Sequence, residues 1–315
     1  MRRRSRPPKA LRLAVRAGGL AALGAAVTVP FLRKRMNIPA PVTVTALAAG
    51  PLALAVLQPR TKRRDITLFA LQMWAFTIAH ELPYDDPERL RARLRSRYPI
   101  ATDRAIGGGR LPNALLQRAA TRLPRVRLVN QVLTWAHWLW FMEPYIALAV
   151  ILLRHPERFP RAGRQMAAVF DIGCAVYFAL PTAPPWWAAE QGLTGGEGVR
   201  RIMVEVGEET WGSAWPKMYD ALGGNPWAAM PSLHFATSVT AALALAEAGK
   251  VEGALGWTYA GTLGFALVYL GEHYVTDLIA GAALVAAVRR GELLAEPLIR
   301  GVNAGLQRLE RIASS

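Results

Sequence analysis

The chain has 315 residues, 52% of them hydrophobic, a formal net charge of +16 and a single cysteine, Cys174. Its apolar runs of about 18 residues or more exclude an ordinary soluble domain, and one cysteine excludes an intrachain disulfide. The basic excess fits arginines in cytoplasmic loops and beside anionic lipid better than it fits nucleic acid, so no nucleic-acid partner is expected.

Arg2, Arg3, Arg4 and Arg6 precede the first apolar stretch, as in a signal peptide. Arg12 and Arg16 interrupt its start and no clean small-residue cleavage site follows, so a retained first helix is expected. Eight helical hydrophobic segments follow in chain order, at about 11–31, 40–57, 66–82, 128–153, 163–180, 229–248, 253–271 and 274–289. In lipid every backbone polar group must be satisfied internally, which makes these spans helices and the fold class all-α, a polytopic membrane bundle. The expected division is 1–127, N-terminal helices and a basic interfacial region; 128–290, a catalytic six-helix core; and 291–315, an amphipathic tail.

Charge orients the spans. Residues 1–16 carry seven Arg or Lys and no acid, 58–64 carry four, and 154–164 carry four Arg against one Glu. From 289 onward five Arg face three Glu, whereas the loop 181–228 holds three basic residues against six acids. Eight spans place every basic segment inside and the acidic loop outside. Residues 83–127, with eleven Arg and four acids, resist this scheme. They are expected to lie along the membrane surface as amphipathic helices, with Leu90, Leu94, Leu115, Leu116 and Leu123 toward lipid.

Two segments carry the chemistry. In Gly271-Glu272-His273-Tyr274-Val275-Thr276-Asp277, the histidine and aspartate are four apart and would share a helix face. The carboxylate can hold one ring nitrogen and present the other as base or nucleophile; a plain surface ion pair has the same spacing. In Pro231-Ser232-Leu233-His234, Pro and Ser read as a helix start, whose free amides favour phosphate. His234 stands in that first turn, and both histidines fall at the outer ends of consecutive helices. A third segment, Leu180-Pro181-Thr182-Ala183-Pro184-Pro185-Trp186-Trp187, ends the preceding helix in the same plane. His137 is an intramembrane polar residue, as consistent with a structural hydrogen bond as with a cavity lining, and Asp171 is likewise intramembrane, with Arg164 or His137 as its candidate partner.

Together, Pro181-Thr182-Ala183-Pro184-Pro185, Pro231-Ser232-Leu233-His234 and His273-Tyr274-x-x-Asp277 resemble the type-2 phosphatidic acid phosphatase superfamily. The nearer likeness is to its inositolphosphotransferase branch, which includes fungal inositol phosphorylceramide synthase, and it covers about residues 128–290. The resemblance implies that His273 attacks a phosphoester to form a phosphohistidine, that Asp277 orients it, and that His234 protonates the leaving oxygen and then activates the acceptor. It implies that Ser232 and the helix amides hold phosphate oxygens, with Pro231, Tyr274, Thr182, Lys217 and His137 as further substrate-binding candidates. Neither metal nor cofactor is implied, because a covalent histidine with fixed donors suffices.

Two departures stand out. The superfamily's phosphatases have a Lys-containing first motif ending Arg-Pro, where this chain has Leu180-Pro181 and no Lys. They also have Ser-Arg ahead of the nucleophile, where this chain has Ala266 and Leu267. The phosphate charge is thereby left without an assigned partner, and Arg200, Arg201 and Lys217 are unranked candidates. The expected function is an integral membrane phosphotransferase moving a phosphate-bearing head group, inositol phosphate among the options, between lipid substrates at the outer side. The alternative is a lipid or polyprenyl phosphate phosphatase or diphosphatase, and a non-enzymatic transporter or scaffold is a more distant one. The bilayer and lipids are the expected partners; the sequence does not decide on a homo-oligomer or an accessory subunit.

Overall fold

The structure is a computed structural model that describes residues 7–221 and 224–314. Among these the chain is all-α, as expected, and the pairings outside helices are two isolated bridges. The basic residues at 2–6 lie outside the described residues. The chain forms two compact units, Met1–Asp85 with Arg290–Ser315, and Asp86–Arg289.

The first unit holds α1 (Lys9–Leu32), α2 (Ala40–Leu57) and α3 (Lys62–Glu81). By length and composition α1 and α2 can each cross a membrane. α2 follows Pro39 and carries Pro41 in its first turn, where a missing N–H leaves no bond unmade. The two pack closely: a Cβ on Gly50 would meet the Ala26 Cβ at 2.8 Å. Thr61 caps α3 by accepting the Arg64 N–H at 3.1 Å. The buried Arg64 guanidinium donates to the carbonyls of Ala55 and Gln58, which the end of α2 leaves unpaired.

The second unit opens with three short helices, α4 (Pro87–Ala92), α5 (Arg97–Ile106) and α6 (Pro112–Ala120). It continues with α7 (Val126–Leu139), α8 (Glu143–Arg154), α9 (Phe159–Ala179), α10 (Pro185–Glu190), α11 (Ile202–Trp211) and α12 (Trp215–Ala221). It closes with α13 (Leu233–Ala248), α14 (Lys250–Tyr269) and the start of α15 (Val275–Ser314). α13 is central, packed on α8, α9 and α14. Small residues let α13 and α14 approach: a Cβ on Gly253 or Gly256 would meet the Cα of Ala246 or Ala242 at 2.7 and 2.8 Å.

Two expectations are corrected, on the segment 128–153 and on the leucines of 83–127. The segment 128–153 is not one helix but α7 and α8, bent by 55° at a break. Pro144 explains it, since proline supplies no N–H to the carbonyl four residues back and its ring clashes there. The tail after 290 is helical, as the last part of α15, which runs unbroken for 40 residues with Pro297 inside it. The leucines of 83–127 do not form a lipid-facing row. Leu90 is buried, Leu116 packs on a core of Leu133, Met203 and Tyr269, and Leu123 is exposed. Their helices are amphipathic toward the protein's own interior.

Candidate active site

His273 does not lie on a helix: it precedes α15, in the turn that links α14 to it. Its contact with Asp277 is made because the carboxylate, in the first turn of α15, reaches back. Asp277 Oδ2 stands 3.3 Å from His273 Nδ1 and accepts the Tyr274 N–H at 2.9 Å. Both side chains are buried, Asp277 completely. The far nitrogen of the ring, His273 Nε2, faces His234 Nδ1 at 3.1 Å. Asp277, His273 and His234 thus form one continuous chain of polar contacts.

His234 sits in the first turn of α13. Ser232 is the N-cap, its Oγ accepting the Phe235 N–H at 3.3 Å. The Ser232 amide donates to the Asp277 carbonyl at 3.0 Å, so the starts of α13 and α15 are tied by main chain. The Pro231 carbonyl accepts the Tyr177 hydroxyl of α9 at 2.7 Å. Aromatic faces hold the His234 ring, with Trp140 at 4.1 Å and His137 at 5.0 Å between centroids. The break between α7 and α8 brings Trp140 there, and its indole N–H donates to Thr237 at 2.9 Å. His137 is buried, and among the described residues its Nδ1 has no hydrogen-bond partner.

Thr182 lies a layer away. Its amide donates to the Trp227 carbonyl, its carbonyl accepts from Ala229, and Arg95 brackets it on the other side. Its hydroxyl meets the Tyr98 hydroxyl at 2.9 Å. Tyr274 is fully buried in an apolar cluster with Ile100, Leu111, Ala114, Ala188 and Val199, so its ring anchors the turn. Lys217, on α12, is exposed. Arg200 pairs with Glu205 at the surface. Arg201 is one-fifth exposed, pairs with Glu272 at 2.9 Å and stacks on Trp186 at 4.1 Å. Burial disfavours its charge, but Glu272 and Tyr219 outweigh burial and leave its pKa raised.

Sequence reasoning missed a set of polar residues on α5 and α6 that hold the His273 turn. Asp103, fully buried, accepts the amides of Val275 and Thr276 at 2.9 Å and the Thr276 hydroxyl at 2.6 Å. A carboxylate at the start of α15 suits the helix dipole. Asn113 donates to the carbonyls of Val268 and His273 at 2.7 and 3.0 Å. Gln117 bridges Tyr269 and Arg200, donating to both carbonyls and accepting the Arg200 amide. The available signal was Asn113 and Gln117 four apart, on one helix face, in a segment otherwise dominated by arginine.

The chain matches the sequence profile described as the PAP2 superfamily over residues 112–289. That span begins on α6 and takes in Asn113, Gln117 and all three members of the polar chain. The chain is also 28% identical, over 170 residues, to inositol phosphorylceramide synthase from Candida albicans. The aligned part is 50% of this chain and 34% of that relative, so the chain spans about a third of the relative's length. No solved structure matches the chain.

Proposed function

Because the chain belongs to the PAP2 superfamily, a family of lipid phosphatases and phosphotransferases, we propose that it transfers a phosphate-bearing head group between lipids through a phosphohistidine on His273. The observation that carries this reading is the Asp277–His273–His234 chain at 3.3 and 3.1 Å. With Asp277 holding the proton on Nδ1, the lone pair of His273 Nε2 is free to attack phosphorus. A nitrogen–phosphorus bond forms and the bond to the leaving oxygen breaks. His234 gives that oxygen a proton as it leaves. In the second half His234 takes the proton of an acceptor hydroxyl, the new oxygen–phosphorus bond forms, and His273 is released. The contact between the rings gives way as phosphorus takes its place beside Nε2. Ser232 and the first-turn amides of α13 are the proposed neutral phosphate donors.

The protein is an integral membrane protein, carrying among the described residues two helices long and apolar enough to cross, or up to three if the bent pair α7–α8 is one span. The proposed arrangement is multi-pass with the site at the outer side, in line with the charge distribution of its loops. Inositol phosphate is the first head group to offer, since the Candida relative carries it in its name.

The test uses purified protein in detergent, a lipid with a radiolabelled phosphate-linked head group, and a lipid alcohol acceptor given or withheld. Label appearing on the acceptor lipid, and absent with His273→Ala, supports transfer. Label released as water-soluble phosphate whatever acceptor is offered would make the protein a phosphatase instead. Full turnover by His273→Ala would sink both.

A further inference from the structure

The phosphotransfer reading leaves an anionic phosphodiester, and the charge that gathers on its oxygens during transfer, with only neutral donors, because this chain lacks the cations of the phosphatase motifs. One buried-edge guanidinium answers that need. Arg201 belongs to a strand of backbone that runs along the His273 turn: the Ile202 amide donates to the Leu270 carbonyl at 3.2 Å, and Gln117 links Arg200 to Tyr269. Gly271 permits the approach. It has φ +84°, and a Cβ there would stand 2.4 Å from the Arg200 carbonyl oxygen. Glu272, the residue before His273, accepts from Arg201 Nε and Nη2 at 2.9 and 3.3 Å. Tyr219 takes a further Nη2 bond at 2.5 Å. Among the described residues Nη1 has no partner.

We propose, resting on the phosphotransfer reading, that Arg201 is the cation that binds the transferring phosphoryl group, with Nη1 donating to a non-bridging oxygen. The first motif segment then contributes in a different currency. Where the phosphatase pattern has a lysine and an arginine, this segment supplies Trp186, whose ring face lies 4.1 Å from the Arg201 guanidinium carbon. Stacking fixes the plane of the fork, and Glu272 fixes its rotation, so one edge remains for the substrate. Charge that develops on phosphorus oxygens in the transition state meets a donor already in position. Arg200, 58% exposed and paired with Glu205, lacks that setting.

A second account of Arg201 is purely structural, an ion pair that locks the turn through Glu272, and the experiment separates the two. The labelled-donor assay and inhibition by orthovanadate, a phosphoryl-transfer mimic, are measured for wild type, Arg201→Gln, Arg201→Lys, the exchange Arg201→Glu with Glu272→Arg, and the distant surface variant Arg127→Gln. Thermal melts accompany each. Phosphate binding predicts a loss of roughly 10²–10³ in kcat/KM for Arg201→Gln, weaker vanadate inhibition, partial recovery in Arg201→Lys, no recovery in the exchange, and wild-type behaviour in Arg127→Gln. Recovery of both turnover and vanadate inhibition by the exchange would overturn the inference in favour of the lock, as would unchanged vanadate inhibition in Arg201→Gln. Should Arg201→Gln fail to fold, Arg201→Lys keeps the charge and decides on vanadate alone. Wild-type protein that turns over no donor would overturn the phosphotransfer reading itself, whereas an active wild type with an unaffected Arg201→Gln overturns this inference only.

Discussion

The two histidines are held in opposite ways. His273 sits on a turn whose backbone is gripped from outside by Asp103, Asn113 and Gln117, three polar side chains of the short helices α5 and α6. His234 sits on the first turn of a long helix, and its ring is positioned by the faces of Trp140 and His137. A nucleophile must hold one nitrogen on one line, which suits directional hydrogen bonds. An acid–base has to move between two oxygens, which suits contact surfaces without a preferred angle.

The comparison can be broken or sharpened experimentally. Asp277→Asn should have the largest effect, a fall in kcat of about 10³–10⁴, since the amide offers Nδ1 the wrong partner and turns the lone pair away. Turnover near wild type would mean that the main chain alone orients the ring. Asn113→Leu comes next. It removes two hydrogen bonds; the Val268 carbonyl keeps the Gly271 amide while the His273 carbonyl loses its partner, at a cost of about 1–3 kcal/mol, so the melting temperature should fall. The kcat should fall roughly 10²-fold with KM little changed. A lower melting temperature with intact kcat would show that the clamp stabilises the fold without setting the position of His273. Trp140→Leu should act more gently, about tenfold on kcat, as removal of an aromatic face from a ring that carries charge part of the time. An effect larger than that of Asn113→Leu would reverse the contrast drawn above. The pH–rate profile should be bell-shaped: acid protonates the attacking nitrogen of His273, and alkali strips the proton His234 has to deliver. A monotonic profile across the stable range would remove the division of roles.

How much of this is visible in the amino-acid order depends on what does the holding. The spacing of His273 and Asp277 was readable, and so was the Ser232 cap, because both are local patterns. The four-residue spacing suggested a shared helix face, yet His273 lies before the helix and the carboxylate reaches back to it. The break at 140–142 was written in Pro144, but hydropathy over 128–153 masks it, since both halves are apolar. The clamp was hidden for a different reason. Residues 83–127 read as an arginine-rich surface, and composition averages out the one buried aspartate and two buried amides that matter. Their partners are backbone groups far along the chain, 83 residues away at the nearest, Arg200 for Gln117, and 155 and 160 away for Asn113, and no single-sequence pattern encodes a bond to a carbonyl. The same holds for Arg201, whose value lies in the ring beneath it.

The bracketing of Thr182 bears on what holds the segment ahead of Trp186. Its amide and carbonyl are each engaged by a neighbouring segment, to Trp227 and from Ala229, and the adjoining Pro181 and Ala183 pair with Arg95. The joint therefore depends first on the main chain, with the buried Thr182 hydroxyl adding its contact to Tyr98. Valine would preserve both bonds, while proline, which has no N–H, would break one. A segment secured this way holds the residues that follow it, Trp186 among them, in place without a lysine or an arginine of its own.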